Sequence, residues 1–76
     1  PDAYVDLAKL TLEVSAQLKP SLGDKIRVEY ELERGLGPVH ANRAALAQVL
    51  TNLISNARAA MPEGGVLRLI LKSAPN

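Results

Sequence analysis

Two asparagines four residues apart, Asn52 and Asn56, are the residues whose chemistry fits their position least well. They interrupt an apolar pattern typical of a helix, although Asn is a poor helix former that prefers caps and turns. Keeping both inside a helix costs stability unless their side chains have a role. The amide oxygen of Asn is a neutral ligand suited to Mg²⁺, which takes most of its other ligands from water and phosphate. The pair therefore predicts a metal site that is complete only with a phosphorylated ligand.

The helix that carries this pair is predicted to run from about residue 43 to residue 61. Asn42 suits the N-cap position, and Pro62 with the Gly64-Gly65 pair ends the helix. The apolar positions form a stripe about 140° wide when each residue advances the helical wheel by about 100°. We predict that this stripe faces the core; it comprises Leu46, Val49, Leu50, Leu53, Ile54, Ala57 and Met61.

On the same wheel Asn56 lies at the margin of the apolar stripe, and Asn52 lies one turn back on the same flank. One ligand could therefore contact both side chains. Arg58 projects roughly 200° around the helix from Asn56. It is consequently only a lesser candidate for a contact with phosphate.

The rest of the chain predicts one further helix and three strands. The helix begins after Asp6 as its cap and is closed by Pro20 and Gly23. Alternation of apolar and polar residues predicts strands over residues 26–33, 39–41 and 66–72. We therefore expect an α+β fold, a two-layer α/β sandwich in the order helix, strand, strand, helix, strand. Both helices should lie on one face of a small mixed sheet.

Composition limits the chain to one small domain, residues 1–76. The absence of cysteine excludes disulfides and cysteine metal sites. A net charge of +1 without a basic run argues against nucleic acid and against direct contact with a membrane. No apolar stretch approaches the roughly 20 residues of a membrane-spanning helix.

The second predicted helix resembles the N box of the sensor histidine kinases, which belong to the GHKL ATPases with their Bergerat-type nucleotide site. The resemblance rests on the run Asn52-Leu53-Ile54-Ser55-Asn56-Ala57 and on Met61-Pro62-Glu63-Gly64-Gly65 before an apolar strand. The order of the preceding elements is also similar to the first half of that family's ATP-binding domain. The resemblance covers nearly the whole chain and implies the amino-terminal half of such a domain.

This resemblance implies that Asn56 is the Mg²⁺ ligand that ties the metal to ATP, and that Asn52 lies near the phosphates. Hydrolysing relatives have a glutamate at the position of Asn52 to activate water, and an amide cannot accept that proton. The family therefore implies phosphoryl transfer to a protein histidine, with no catalytic residue assigned to this segment itself. It also implies a histidine-bearing dimerisation domain and a response regulator as partners, in a cytoplasmic segment of a protein that can be membrane-anchored.

The chain departs from the family pattern in two ways. Many members have Lys or Asp three residues after the Mg²⁺ asparagine, where this chain has Ala59. The Asp-x-Gly-x-Gly box that reads adenine and the glycine-rich lid are absent from these 76 residues. The missing carboxyl-terminal half of the domain would supply them, so we expect the segment alone to bind ATP poorly and to be inactive.

Simpler interpretations stand beside these. The two asparagines could be solvent-facing amides, and the chain could be a non-catalytic interaction module derived from such a domain, pairing through unpaired sheet edges. His40 is predicted to be a loop histidine without a catalytic or metal role. Tyr30 is predicted to lie in the core with its hydroxyl at the sheet edge. The Gly64-Gly65 pair is interpreted as a helix terminator.

Overall fold

Two helices and four strands make up the computed structural model, which describes residues 2–74. In chain order they are β1 (Ala3–Val5), α1 (Leu7–Leu22), β2 (Ile26–Leu32), β3 (Val39–Ala41), α2 (Arg43–Ala60) and β4 (Gly65–Leu71). The predicted α+β class, with helices packed on the strands, is confirmed. The ends of the predicted domain, Pro1 with Pro75 and Asn76, lie outside the described residues.

The strands form two pairs. β1 and β3 are antiparallel, with Tyr4 opposite His40. β2 and β4 are parallel, in a register that runs from Ile26 opposite Gly65 to Leu32 opposite Leu71. Parallel and antiparallel pairings are thus both present, as predicted, but they lie in two sheets and not in one. β1 was not predicted; Ala3–Val5 forms a strand by pairing with β3, which lies far along the chain.

Both helices begin at the N-cap residues that the sequence predicts. Asp6 Oδ1 accepts a hydrogen bond from the backbone N–H of Lys9 at 3.1 Å, and Asn42 Oδ1 accepts one from Ala45 at 2.9 Å. The end of α1 differs from the prediction, because the helix continues through Pro20 to Leu22 before Gly23 ends it at φ 79°. Proline has no N–H to donate to the preceding turn, but this part of α1 is exposed, so water can satisfy the free carbonyl.

α2 ends at Ala60 with Met61 as its C-cap, before the Gly64-Gly65 pair that was interpreted as its terminator, and the two glycines allow β4 to approach β2. Gly64 donates its N–H to the Met61 carbonyl at 3.0 Å and has φ 91°. A Cβ at position 64 would lie 2.4 Å from the carbonyl oxygen of Lys25. Gly65 donates to that same oxygen at 2.9 Å, one residue before β2 begins. The glycines therefore place the start of β4 against the start of β2.

The core is built mainly by α1. Its fully buried apolar side chains are Val5, Leu10, Val14, Leu22, Ile26 and Ile54. From the predicted stripe of α2, only Ile54 is buried, at 1% exposure, while Val49 and Leu53 are 53% and 58% exposed. The prediction that the whole stripe faces the core is therefore wrong for these two residues.

Tyr30 corrects a second prediction. Its side chain is 43% exposed and does not lie in the core. Its hydroxyl shares a 2.5 Å hydrogen bond with Ser15 Oγ on α1, and Ser15 is 1% exposed. The ring therefore covers a buried polar group, which is consistent with a phenol that has one apolar and one polar end.

The opposite face of the parallel pair carries charged side chains from both strands, although Val66 and Ile70 of β4 also lie exposed on it. Arg27 and Arg68 donate hydrogen bonds to the carboxylate of Glu29, Arg27 at 3.0 Å and Arg68 at 3.3 Å. These hydrogen bonds, first from Arg27 and then from Arg68, lower the pKa of Glu29 below its ordinary value. On this exposed face the Arg68–Glu29 ion pair joins β4 to β2.

Candidate functional site

α2 places Asn52 and Asn56 on its exposed flank. Both side chains are solvent-exposed, and the buried side chain of Ile54 lies between them in sequence. Residues four apart in a helix lie about 6 Å apart along its axis. Because Ile54 packs the middle of α2 against the core, the flank with Asn52 and Asn56 faces the outer surface.

The two amides have different hydrogen-bond environments. Asn52 Oδ1 accepts a hydrogen bond from Gln48 Nε2 at 3.0 Å. For Asn56, the described residues 2–74 provide no side-chain hydrogen-bond partner. The amide oxygen of Asn56 is therefore free to accept a ligand, whereas that of Asn52 is already engaged.

The metal chemistry available at this flank is limited. Among residues 2–74 no group of three or more His, Asp or Glu side chains could hold a metal ion. Asn56 fits Mg²⁺ as one neutral oxygen ligand, because Mg²⁺ binds with few protein groups when a phosphorylated ligand supplies the rest. The donor set is thus compatible with a metal that arrives with its nucleotide.

Arg58 is not brought together with the asparagines. It borders a cavity of about 640 Å³ between the ends of α1 and α2, and neither Asn52 nor Asn56 lines that cavity. It also lies in the last turn of α2, where a positive charge is favoured by the partial negative charge at the end of the helix. A structural role therefore accounts for Arg58 at its position.

Sequence reasoning missed an apolar groove of about 400 Å³ along β4. Its walls come from α1, α2 and both faces of β4; they include Leu7, Thr11, Leu50, Leu53, Leu67 and Ile70. Of its lining residues, Leu53 and Ile70 are more than half exposed, as are Val49 of α2 and Val66 of β4. No sequence signal marks this groove, because an apolar stripe looks the same whether its covering surface is present or not.

His40 lies in β3, the short strand predicted over residues 39–41, and not in the loop that was also considered for it. Its ring is 5.0 Å from that of Tyr4 across the antiparallel pair, in an edge-on arrangement with an interplanar angle of 64°. Both residues are exposed and lie on a different sheet from β2 and β4. The Tyr4–His40 contact accounts for the position of the histidine without a ligand.

Comparison with known proteins relates the chain to a segment of a sensor kinase. Over 71 residues it is 35% identical to Sensor kinase CckA of Brucella abortus (strain 2308). The match covers 93% of this chain but 8% of that protein. A match of this length must include residues 6–71, which hold both asparagines.

Two other comparisons gave no match. No protein-family model matches the chain, and no solved structure does. The relation to a sensor kinase therefore rests on the alignment reported above and on the residues described above.

Within residues 2–74 neither helix is long and apolar enough to cross a membrane.

Proposed function

We propose that this chain is the amino-terminal half of the ATP-binding domain of a sensor histidine kinase, and that it binds Mg-ATP on the exposed flank of α2. The observation that carries the proposal is the placement of Asn52 and Asn56, one turn apart and exposed, in a segment similar to part of a sensor kinase. Neither amide takes part in the core. A ligand explains why a helix keeps two residues that lower its stability.

In this proposal Asn56 supplies one protein oxygen to Mg²⁺. The exposed position of its amide and its lack of a hydrogen-bond partner within residues 2–74 support this role. Bound Mg²⁺ would neutralise charge on the phosphate oxygens of ATP. The contribution of Asn56 is to fix where that charge lies relative to α2.

Asn52 would contact a phosphate of the same nucleotide, since it lies only one helical turn from Asn56. A carboxamide cannot take a proton from water. The site would therefore hold ATP without activating water, which favours transfer of the terminal phosphoryl group to a histidine nitrogen with ADP as the leaving group. We leave Arg58 outside this proposal because it borders the cavity at the helix ends.

The whole activity is proposed only for the longer protein. The chain spans 8% of the length of the relative it matches, so it corresponds to a small part of such a kinase. The histidine-bearing dimerisation domain, the other half of the nucleotide site and the response regulator would lie outside this segment. Alone, residues 1–76 should bind ATP weakly because they offer few contacts to offset the cost of association.

The test is a calorimetric titration of a non-hydrolysable ATP analogue into the full protein that contains this segment, with and without Mg²⁺. Asn56→Ala should lower the affinity at least tenfold in Mg²⁺ and change it little without Mg²⁺, because a hydrogen-bond or ligand contact to a charged partner is worth about 1.5–3 kcal/mol. Asn42→Ala is the matched control, since Asn42 caps the same helix away from the site.

Three results would contradict the proposal. One is a wild-type protein that does not bind the analogue. Another is an Asn56→Ala protein whose affinity keeps the same dependence on Mg²⁺ as the wild type. A loss of affinity shared by the Asn42→Ala control would likewise reject it, because the change would then reflect the stability of α2 and not the metal.

One observation favours the second candidate function, an interaction module. Within residues 2–74, β4 is paired on one side only, and the apolar groove runs beside its free edge. Such an edge can accept a strand from another chain. Sedimentation over a range of concentrations distinguishes the two: association that Leu53→Asp abolishes, in a protein that binds no nucleotide, supports the module.

A further inference from the structure

Gln48, Asn52 and Asn56 form a row of three amides along one flank of α2, at intervals of four residues. All three are exposed. Side chains four apart are neighbours on a helix surface, so each amide can contact the next. In this row Gln48 and Asn52 are joined by a hydrogen bond, and Asn56 has no side-chain partner within residues 2–74.

The direction of this hydrogen bond decides whether Asn52 offers its oxygen or its NH₂ group to a ligand. Gln48 Nε2 donates and Asn52 Oδ1 accepts, at 3.0 Å. A carboxamide carries its oxygen and its NH₂ group on opposite arms of one plane. With the oxygen turned to Gln48, the NH₂ group of Asn52 is turned away from Gln48 and is free to donate to a ligand.

From this geometry we infer that Gln48 is a positioning residue, which holds the amide of Asn52 with its donor side toward the ligand. The inference rests on the proposed function. Phosphate oxygens only accept hydrogen bonds, so an NH₂ group attracts them and an amide oxygen repels them. A metal ion has the opposite requirement, which the free oxygen of Asn56 meets. With its orientation set by Gln48, Asn52 would donate to phosphate, whereas Asn56 would offer its oxygen to the metal.

Two substitutions separate orientation from simple loss of contact. Gln48→Glu replaces the donor by an acceptor of nearly the same shape, so the Asn52 amide should turn its NH₂ group to residue 48 and its oxygen to the phosphate. Gln48→Met removes the hydrogen bond and leaves the amide free to take either orientation. Affinity falls by the fraction of molecules in the competent orientation. Met at position 48 should therefore cost about twofold and Glu roughly tenfold.

The experiment titrates the non-hydrolysable ATP analogue with Mg²⁺ into the full protein carrying each variant, alone and combined with Asn52→Ala. If Gln48 acts through Asn52, both losses should disappear in the Asn52→Ala background, as a double-mutant cycle requires. Glu at position 48 also adds a negative charge near the phosphates. A loss of affinity that persists in the Asn52→Ala background would reflect that charge and would overturn the inference.

A second measurement does not depend on the nucleotide. In the NMR spectrum of the ligand-free protein, the side-chain NH₂ resonances of Asn52 should move in Gln48→Glu, because the amide gains a charged acceptor. They should be assigned by their loss in Asn52→Ala. If thermal unfolding shows that the variant is folded, unchanged resonances would overturn the inference.

The outcomes separate this inference from the function on which it rests. Binding that depends on Asn56 but not on Gln48 overturns the inference alone and leaves the proposed function standing. A wild-type protein that does not bind the analogue overturns both. Binding that depends on both residues, with the loss from Gln48→Glu removed by Asn52→Ala, supports both.

Discussion

The two helices of this protein have similar lengths and the same kind of start, yet they are used differently. α1 has 16 residues and buries five of them, Leu10, Thr11, Val14, Ser15 and Leu22. α2 has 18 residues and buries Ile54 alone. Both are amphipathic in sequence. The difference shows that an apolar stripe in a helix sequence does not by itself mean that the stripe is buried within the same chain.

α2 combines an incompletely covered apolar stripe with exposed amides on the adjoining flank. The apolar side includes Val49 and Leu53, which are more than half exposed. The polar flank holds the row from Gln48 to Asn56. Exposed apolar surface of this kind is typical of contact sites. α1 therefore supplies most of the buried side chains, whereas α2 leaves both apolar and polar side chains exposed.

The largest expected effect comes from one substitution made on both helices. Leu10→Ala in α1 should destabilise the chain by about 2–4 kcal/mol, because Leu10 is 2% exposed and its removal leaves a cavity. Leu53→Ala in α2 should change stability by no more than about 0.5 kcal/mol, because Leu53 is 58% exposed. Urea unfolding followed by circular dichroism measures both in the same chain.

A domain of this size has a total stability of only about 4–11 kcal/mol, so the Leu10→Ala loss should be plain in the midpoint. Equal losses for the two variants would contradict the contrast between the helices. That result would mean that the stripe of α2 is covered in solution, for instance by a second copy of the chain, and the midpoint would then depend on protein concentration.

The glycines that follow the two helices have different surroundings. Gly23 after α1 and Gly64 after α2 both have positive φ, at 79° and 91°. A Cβ at position 23 would meet nothing within 4 Å, whereas at position 64 it would lie 2.4 Å from the Lys25 carbonyl oxygen. We expect Gly23→Ala to cost about 1 kcal/mol from backbone strain. Gly64→Ala should cost roughly 2–3 kcal/mol because β2 and β4 must also move apart.

Urea unfolding of the two variants, measured side by side, gives this difference directly. Amide hydrogen exchange adds a local measure, since Gly64→Ala should speed exchange in β4 near Gly65 while Gly23→Ala should not. If the two glycines proved equally tolerant, the close approach of β4 to the Lys25 carbonyl would not be a constraint on the fold.

Most of the fold follows from local signals in the sequence. The caps Asp6 and Asn42, the alternation in β2 and the end of α2 before Pro62 each depend on residues within a few positions, so the sequence predicts them. Burial of Leu53 and Tyr30 was predicted wrongly because it depends on what packs above them. The division into two sheets depends on pairings between residues far apart in the chain, such as Arg27 with Val66.

The candidate site was predictable in part. Residue spacing placed Asn52 and Asn56 on one flank of α2, and Arg58 on another side. The hydrogen bond from Gln48 was not predicted, although its spacing of four residues from Asn52 is the spacing at which helix side chains meet. The ligands remain predictions, because spacing shows which groups are available and not what binds them.

The N-caps test whether the contrast between the helices is one of burial alone. Asp6→Ala and Asn42→Ala each remove one side-chain acceptor for a free backbone N–H at a helix start. Each should cost about 1 kcal/mol, and the two losses should be similar. Thermal unfolding of the two variants measures this, with Asp6→Asn as a control that keeps a capping oxygen. If only Asp6→Ala were costly, the start of α2 would be frayed, and the helices would differ in local stability as well.

The smallest effect is expected at the ion pair that joins the helices, Glu13 on α1 with Arg43 on α2. The side chains are 42% and 51% exposed, so solvent screens their attraction. Arg43→Gln should cost about 0.5 kcal/mol or less, and Glu13→Gln should cost the same. Both losses should disappear in 1 M salt, where the Debye length is about 3 Å. A double variant that loses no more than either single variant would assign the effect to the pair. A loss of unfolding free energy several times this size that persists in high salt would contradict this expectation. It would mean that the ion pair, and not the apolar face of α1, holds α2 in place, so the contrast between the helices would need another cause.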